Sequence, residues 1–514
     1  MTSSEHLLSL IESMTKAERR LFKLDIKSQA TAKGPKYMQL FDAIVKSGRI
    51  DEHKLTRSGI VSSQQLPNMK AALYSHLLAS LRSNFLQAEP EMQVRSLVDN
   101  SGLLFDRGLH EQSHKMLKKA LKLAEKLQMS QVHHEILRRE RILELYLSQS
   151  ITIEQARETR IKAEESAQRQ SRIAAFSGLI LELHAYYIQN GHVSNAKEFE
   201  SLRSYCESQL PDFVLNDLNL YEKIYFYRAR TWFYFVTQDF PMCHRYFSQA
   251  ITLMENEELI YSRPILYLKM YNGWLNAFLH MNKRHKFNEL FERFKALQAD
   301  KRLQNRRGVR HMFERFVLHH QINKHFLFGE FQEGANQIPE QLKSLSKTTI
   351  PFEPRYLTST LYKMACIYFG NEQYEESKQL LDRIIYFEDN TFRKDIHKFA
   401  RILKLACLFE MKDLDELFTH LVATYNYLSR NQDMNLFQKE ILRFLRVIAN
   451  SSPENTKKEF EILRNRMIEI SQTPYEKRPF FYFDIISWLE SNIRDIPVAR
   501  IIQERGLGHG GAVA

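Results

Sequence analysis

The sequence predicts an all-α protein, a right-handed α-solenoid of helical hairpins behind a small N-terminal helical module. Two observations carry that prediction. Gly (16) and Pro (13) are scarce for 514 residues, whereas Leu, Lys, Glu, Arg, Gln and Met, which lose least on entering a helix, are plentiful. One apolar frame also returns along the middle of the chain at intervals of about 40 to 47 residues. A chain of this length exceeds one ordinary core, and a stack of repeats accounts for the excess.

Residues 1–88 read as the N-terminal module. Thr2 to Glu5 and Thr15 to Glu18 match the capping box, in which a hydroxyl and a carboxylate satisfy each other's end of a helix start. Gly34-Pro35 breaks the chain before YMQLFDAIVK, Gly48 closes that helix, and Asp51 caps a short segment ending at Ser58-Gly59. A longer helix from about Pro67 to Leu86 places Met69, Leu73, Leu77, Leu81 and Phe85 on one face. Helices joined by such short turns are compatible with a helix-turn-helix that reads DNA. The outer face of the last one, with Asn68, Lys70, Ser75, His76, Ser80 and Arg82, offers few cations for phosphate. A capping module for the array is the preferred reading.

The array is expected over 89–475. Its template is Leu361-x-x-Met364-Ala365-x-x-Tyr368 followed by Ser377-x-x-x-Leu381. The frame recurs as Tyr227, Arg230, Thr231 and Tyr234 with Cys243 and Phe247, and as Trp274, Ala277, Phe278 and Met281 with Leu290 and Phe294. Fainter copies set Leu104, Leu147, Tyr187, His325 and Leu408 as equivalents of Tyr234, Met281 and Tyr368. The frame resembles the tetratricopeptide (TPR) pattern W-x-x-L-G-x-x-Y…A-x-x-x-F, with a period longer than the usual TPR length of about 34 and within the range of HEAT and armadillo repeats. Bacterial TPR-like proteins with long helices are similar, as is an uncharacterised bacterial group of about this length; the latter resemblance implies no activity. Residues 476–505 are expected to form a C-terminal helical cap and 506–514 a flexible tail.

The net charge of +12 permits acidic partners without specifying one. Cys206, Cys243, Cys366 and Cys407 stand singly, as packing residues of a reducing compartment do. No stretch is apolar enough to span a membrane, and MTSSEHLLSLIESM lacks the basic start of a secretory signal, so a cytoplasmic location is expected.

Several motifs bear on chemistry. His110-Glu111-Gln112-Ser113-His114 spells the H-E-x-x-H zinc signature; Glu135 follows at a plausible distance for a third ligand, but EILRR lacks the acidic partner such Glu helices carry. His110 falls where other repeats place a packing aromatic, and Lys115 opposes a buried dication, so packing is the preferred reading. Gly506 to Gly511 matches G-x-G-x-x-G without the strand and helix a phosphate loop needs. The pairs His133-His134 and His319-His320, with His325, lack the Cys or carboxylate companions of a metal site. The basic stretch 301–316 holds Arg302, Arg306, Arg307 and Arg310, of which Arg306 and Arg310 share a helix face.

A groove lined by the first helix of each hairpin is the site such an array most naturally makes. Its lining is predicted to be Arg228, Trp232 and Phe235, then His319, Asn323 and Phe326, then Tyr362, Cys366 and Phe369. Aromatic rings with a few polar groups suit a protein or peptide partner. The expected function is a non-catalytic adaptor with no cofactor and no metal. The alternative is a nucleic-acid-associated regulator whose array senses a peptide.

Overall fold

In the computed structural model, residues 3–28, 34–57, 59–88, 90–127, 129–147, 152–257, 259–304, 306–347, 354–386, 393–430, 434–448, 453–473, 476 and 478–508 are described. Every regular element among them is helical. The chain divides into two compact units, Met1–Arg172 and Ile173–Ala514.

In the first unit, α1 (Ser3–Ser13), α2 (Lys16–Ser28), α3 (Gly34–Ser47), α4 (Glu52–Arg57) and α5 (Leu66–Ala88) enclose Leu7, Ile11, Phe22, Leu40, Phe41, Leu73 and Leu77. The Phe85 side chain and the Thr2 box lie outside the described residues. The second capping box forms: Thr15 N donates to Glu18 Oε2 at 2.6 Å, and Glu18 N to Thr15 Oγ1 at 3.2 Å. Helices α6 (Pro90–Phe105), α7 (His110–Lys126) and α8 (Ser130–Tyr146) build a second core around Val94, Val98, Leu117, Ala120 and Ile136. Next comes α9 (Ile153–Asn190), unbroken for 38 residues. The frame expected two helices there, but the segment has no Pro and one Gly, and nothing in it stops a helix.

The second unit continues with α10 (Ala196–Gln209), α11 (Leu220–Val236), α12 (Phe240–Asn256), α13 (Leu259–Ser262), α14 (Pro264–His280), α15 (Arg284–Ala296), α16 (Lys301–Gln304), α17 (Arg307–Phe328) and α18 (Phe331–Lys347). It ends with α19 (Pro354–Gly370), α20 (Tyr374–Ile385), α21 (Lys394–Glu410), α22 (Leu414–Arg430), α23 (Leu436–Ile448), α24 (Pro453–Gln472), α25 (Ile485–Arg494) and α26 (Val498–Gly508). Antiparallel hairpins α11/α12, α14/α15, α17/α18, α19/α20 and α21/α22 stack so that α14, α17, α19, α21 and α23 each pack on the next.

One backbone device closes these hairpins. A left-handed residue stands at Gln238, Asn282, Gly329, Glu372 and Lys412. The following N–H reaches back to the carbonyl of Tyr234, Phe278, His325, Tyr368 or Leu408, at 2.9 to 3.1 Å. This is the Schellman stop, which satisfies carbonyls that a helix end leaves orphaned. The first unit repeats it with Gly108 and the Leu104 carbonyl. The turn corrects one register: the equivalent of Tyr234 in α14 is Phe278, one helical turn before Met281, and fully buried Phe287 replaces Leu290 at the crossing.

Small residues let paired helices approach. Ser113 Oγ donates to Ser101 O at 2.9 Å, Cys243 Sγ to Thr231 O at 3.5 Å, and Ser377 Oγ to Ala365 O at 2.8 Å. Each pair is 12 residues apart, so one contact serves the same crossing in three hairpins. All four cysteines are free and buried.

Candidate functional site

The hairpin turns set the register of one helix face in the second unit. The positions ten, six and three residues before each left-handed residue are Arg228, Trp232, Phe235; Asn272, Asn276, Leu279; His319, Asn323, Phe326; Tyr362, Cys366, Phe369; and Ile402, Ala406, Phe409. Asn272 and Asn276 belong to this face and were concealed by the one-turn slip at Met281.

The face closes around the chain's own C-terminal segment. Phe480 meets Phe437 of α23 at 5.1 Å, while the next residue, Phe481, meets Phe240 of α12 at 5.6 Å and His280 of α14 at 4.8 Å. Helices far apart in the stack therefore converge on adjacent residues, which makes this face the inner one. Tyr482 stacks on Phe399 at 4.5 Å, its carbonyl accepts from Cys366 Sγ at 3.7 Å, and Phe483 lies 5.5 Å from Phe369. Trp488 is 1% exposed, and its indole N–H donates to Glu410 Oε1 at 2.5 Å. Further on, Arg284 Nη2 donates to Ile502 O at 2.9 Å, and Gln503 Nε2 to Gly329 O at 3.0 Å. The segment that packs on α24 through α25 thus also reaches the inner face, through residues 480–483 and 502–503.

This corrects part of the predicted groove. Tyr362, Cys366 and Phe369 are 3%, 6% and 3% exposed and lie under the C-terminal segment. Phe326 is half-buried beside Phe331, at 6.3 Å. Burial raises the Cys366 thiol to about 12, which keeps it neutral.

Two parts of the face keep half-buried residues, although in the second Asn323 and His320 are buried. An aromatic wall groups Trp232 with His184 (4.9 Å) and Phe235 (5.8 Å), and Phe235 with Tyr187 (5.1 Å). Arg228 lies over Tyr225 at 5.3 Å, and burial pulls its guanidinium below the usual value. At the position of α14 that corresponds to Trp232 stands Asn276, whose amide has no hydrogen-bond partner among the described residues.

The other part is a polar relay. Lys363 Nζ donates to Asn323 Oδ1, Asn323 Nδ2 to His320 Nδ1 at 3.2 Å, and His320 Nε2 to Asn272 Oδ1 at 3.0 Å. Lys363 Nζ also lies 3.4 Å from His319 Nε2. Accepting there places the His319 proton on Nδ1, which is buried and unpartnered. Arg315 lies over Tyr356 at 4.6 Å with its Nε also buried and unpartnered. Burial, then the Arg393 cation, bring Lys363 down to about 7. Burial first, then Lys363, His320, Arg315 and Arg393, hold His319 well below the imidazole range.

The His110 ring packs 5.1 Å from Phe105 and 5.0 Å from Tyr146, and Glu135 is taken by Arg139 at 2.9 and 3.2 Å. His133 faces Glu125 at 3.6 Å, and His134 faces Ser166 at 3.3 Å. His325, Glu330 and Glu333 bring ligand atoms within 4.8 Å of one another. They surround the start of α18, where the helix dipole favours carboxylates, and His325 Nδ1 lies 3.2 Å from Glu330 Oε2. In α5, Lys70 is 7% exposed and bonded to Glu52 at 2.6 Å and Ser4 at 2.7 Å, while Ser80 bonds Asp25. Neither belongs to the outer face considered for DNA, and Arg82 pairs with Asp99 at 3.5 Å. In the basic stretch, Arg302 lies over Tyr261 at 3.5 Å and Arg306 is half-buried. Arg310 is exposed, and the Arg307 side chain lies outside the described residues. Among described residues, no helix is long and apolar enough to cross a membrane.

No family model and no curated protein matches the sequence. Among solved structures, the chain is similar to the apo form of the quorum sensor NprR from B. thuringiensis, with 13% identity and a TM-score of 0.40 over 79% of this chain and 99% of that one. A superposition that loose settles neither fold nor activity.

Proposed function

We propose that the protein is a non-catalytic scaffold that holds a segment of a protein or peptide on the inner face of its second unit. The observation that carries this reading is the chain's own segment Phe480–Asp484, which already lies on that face as a guest would. It enters as a 3-10 turn followed by non-helical backbone, inserts rings beside Phe437, Phe240 and Phe399, and offers a carbonyl to Cys366. The half-buried remainder has matching chemistry. Trp232, Phe235 and Tyr187 supply rigid ring area, and Asn276 can both donate to and accept from one peptide group.

The test is selection of random ten-residue peptides by the full-length protein. One consensus should emerge, and it should be lost with Asn276→Ala combined with Trp232→Ala while the helical circular dichroism is kept. Absence of a consensus, or one indifferent to both substitutions, would overturn the reading.

A further inference from the structure

Among the described residues, the cations beside Lys363 outnumber the acids shown bonded to them. Lys363 and Arg315 make no ion pair among the described residues, and His319 meets Lys363 rather than a carboxylate. The acid bonded at the edge of the cluster, Asp395, is gripped by Arg393 through two bonds of 3.0 Å and also accepts from the Tyr482 hydroxyl. Two buried donors, Arg315 Nε and His319 Nδ1, have no acceptor among the described residues. Lys363 leans on a neutral partner, Asn323, which is itself held by His320 and so by Asn272. The relay fixes the ammonium without neutralising it.

We propose that the inner face seats a carboxylate of its guest peptide among Lys363, His319 and Arg315. This rests on the inner face being the binding face. The Lys363 ammonium supplies a charged donor and the Arg315 cation adds to the positive field at His319, and a charge-assisted bond in a desolvated site is about twice as strong as a neutral one. The carboxylate supplies the charge that the cluster lacks, so binding relieves a repulsion present in the free protein. The aromatic wall then acts on the rest of the guest, giving contact area while the acid fixes register.

The test measures thermal unfolding of the full chain with N-acetylglutamate, N-acetylglutamine or inorganic phosphate at matched ionic strength. N-acetylglutamate should raise Tm saturably, the amide should not, and phosphate should do less. The shift should disappear in Lys363→Met and shrink in Arg315→Gln. An equal shift from the amide, a larger one from phosphate, or an undiminished one in Lys363→Met overturns the carboxylate assignment. Peptides obtained by selection separate this from the broader reading. Asn276-dependent peptides with no acidic requirement leave the binding face standing and sink the carboxylate; an acid-specific Tm shift without any selected peptide upholds the subsite and sinks the peptide reading. Amidating the peptide C-terminus and changing internal Glu to Gln then show which carboxylate is seated, and loss of binding in either arm supports the proposal.

Discussion

Lys363 carries a cost that its position explains. In the unfolded chain its ammonium keeps its proton up to roughly pH 10, whereas in the folded protein burial and Arg393 bring it down to about 7. Below pH 7 both states hold the proton and the folded state bears the full penalty. Between about 7 and 10 the unfolded chain alone binds it, so this residue's contribution to stability rises with pH. Replacing it by Met should therefore raise Tm most at pH 7 and below, with the gain shrinking steadily toward pH 9.5. The groups facing it leave that window clear. His319, His320 and His280 are all held below the usual imidazole range and stay neutral above pH 7.5, and, against the effect of burial, Arg393 is held above its usual value by Asp395. Tm against pH for the two proteins checks this, and a Met variant that is less stable throughout would show that Lys363 is a structural anchor.

The hairpin turn is the element where sequence and structure agree best, and its one misreading is instructive. Ser377, Cys243 and Ser113 were visible because a crossing needs a small residue at a fixed distance from the turn. In α14 the ring of Trp274 imitated the first position of the frame, and the turn at Asn282 has no Gly to mark it, so the register slipped by one helical turn. The slip hid Asn272 and Asn276. Gly329 tests the turn's role, because its φ of +68° is one that its equivalents Gln238, Asn282, Glu372 and Lys412 adopt with side chains. A Cβ there would lie 2.9 Å from Ala499 O and 3.2 Å from Ile502 Cγ2, whereas one on Gly108, at φ +74°, meets nothing within 4 Å. Gly329→Ala should thus add a steric cost of about 1–3 kcal/mol to the backbone strain of about 1 kcal/mol that both substitutions share. Denaturant midpoints should separate the pair in that order, and hydrogen exchange should quicken in α26 for Gly329→Ala.

Within the second unit, packing along the stack was legible and packing across it was not. Neighbouring hairpins repeat a local pattern, so periodicity reveals them. The C-terminal segment reaches its partners across 116 residues at Cys366 and 218 at Arg284, and such contacts leave no period in the sequence. For that reason Tyr362, Cys366 and Phe369 looked like an open groove when they are the bed of the chain's own C-terminal segment, and the cations around Lys363 went unnoticed as a group. Trp488 holds this arrangement at its centre, with Phe369, Phe409, Phe444, Phe460 and Phe483 all 5.6 to 6.3 Å from its ring. Trp488→Ala should cost about 3–5 kcal/mol, because a buried indole is lost and rings from five directions cannot all collapse into the space. The Glu410 carboxylate would keep Asn492 Nδ2 as a donor at 3.0 Å, so the loss is mainly one of packing. Hydrogen exchange should locate it: protection should fall in α19, α21, α23 and α25 while the Leu40, Phe41 and Leu73 core of the first unit keeps its own. Uniform loss across both units would mean that the two cores do not unfold separately, and no loss would mean that the C-terminal segment is a loosely held guest rather than part of the second unit's core.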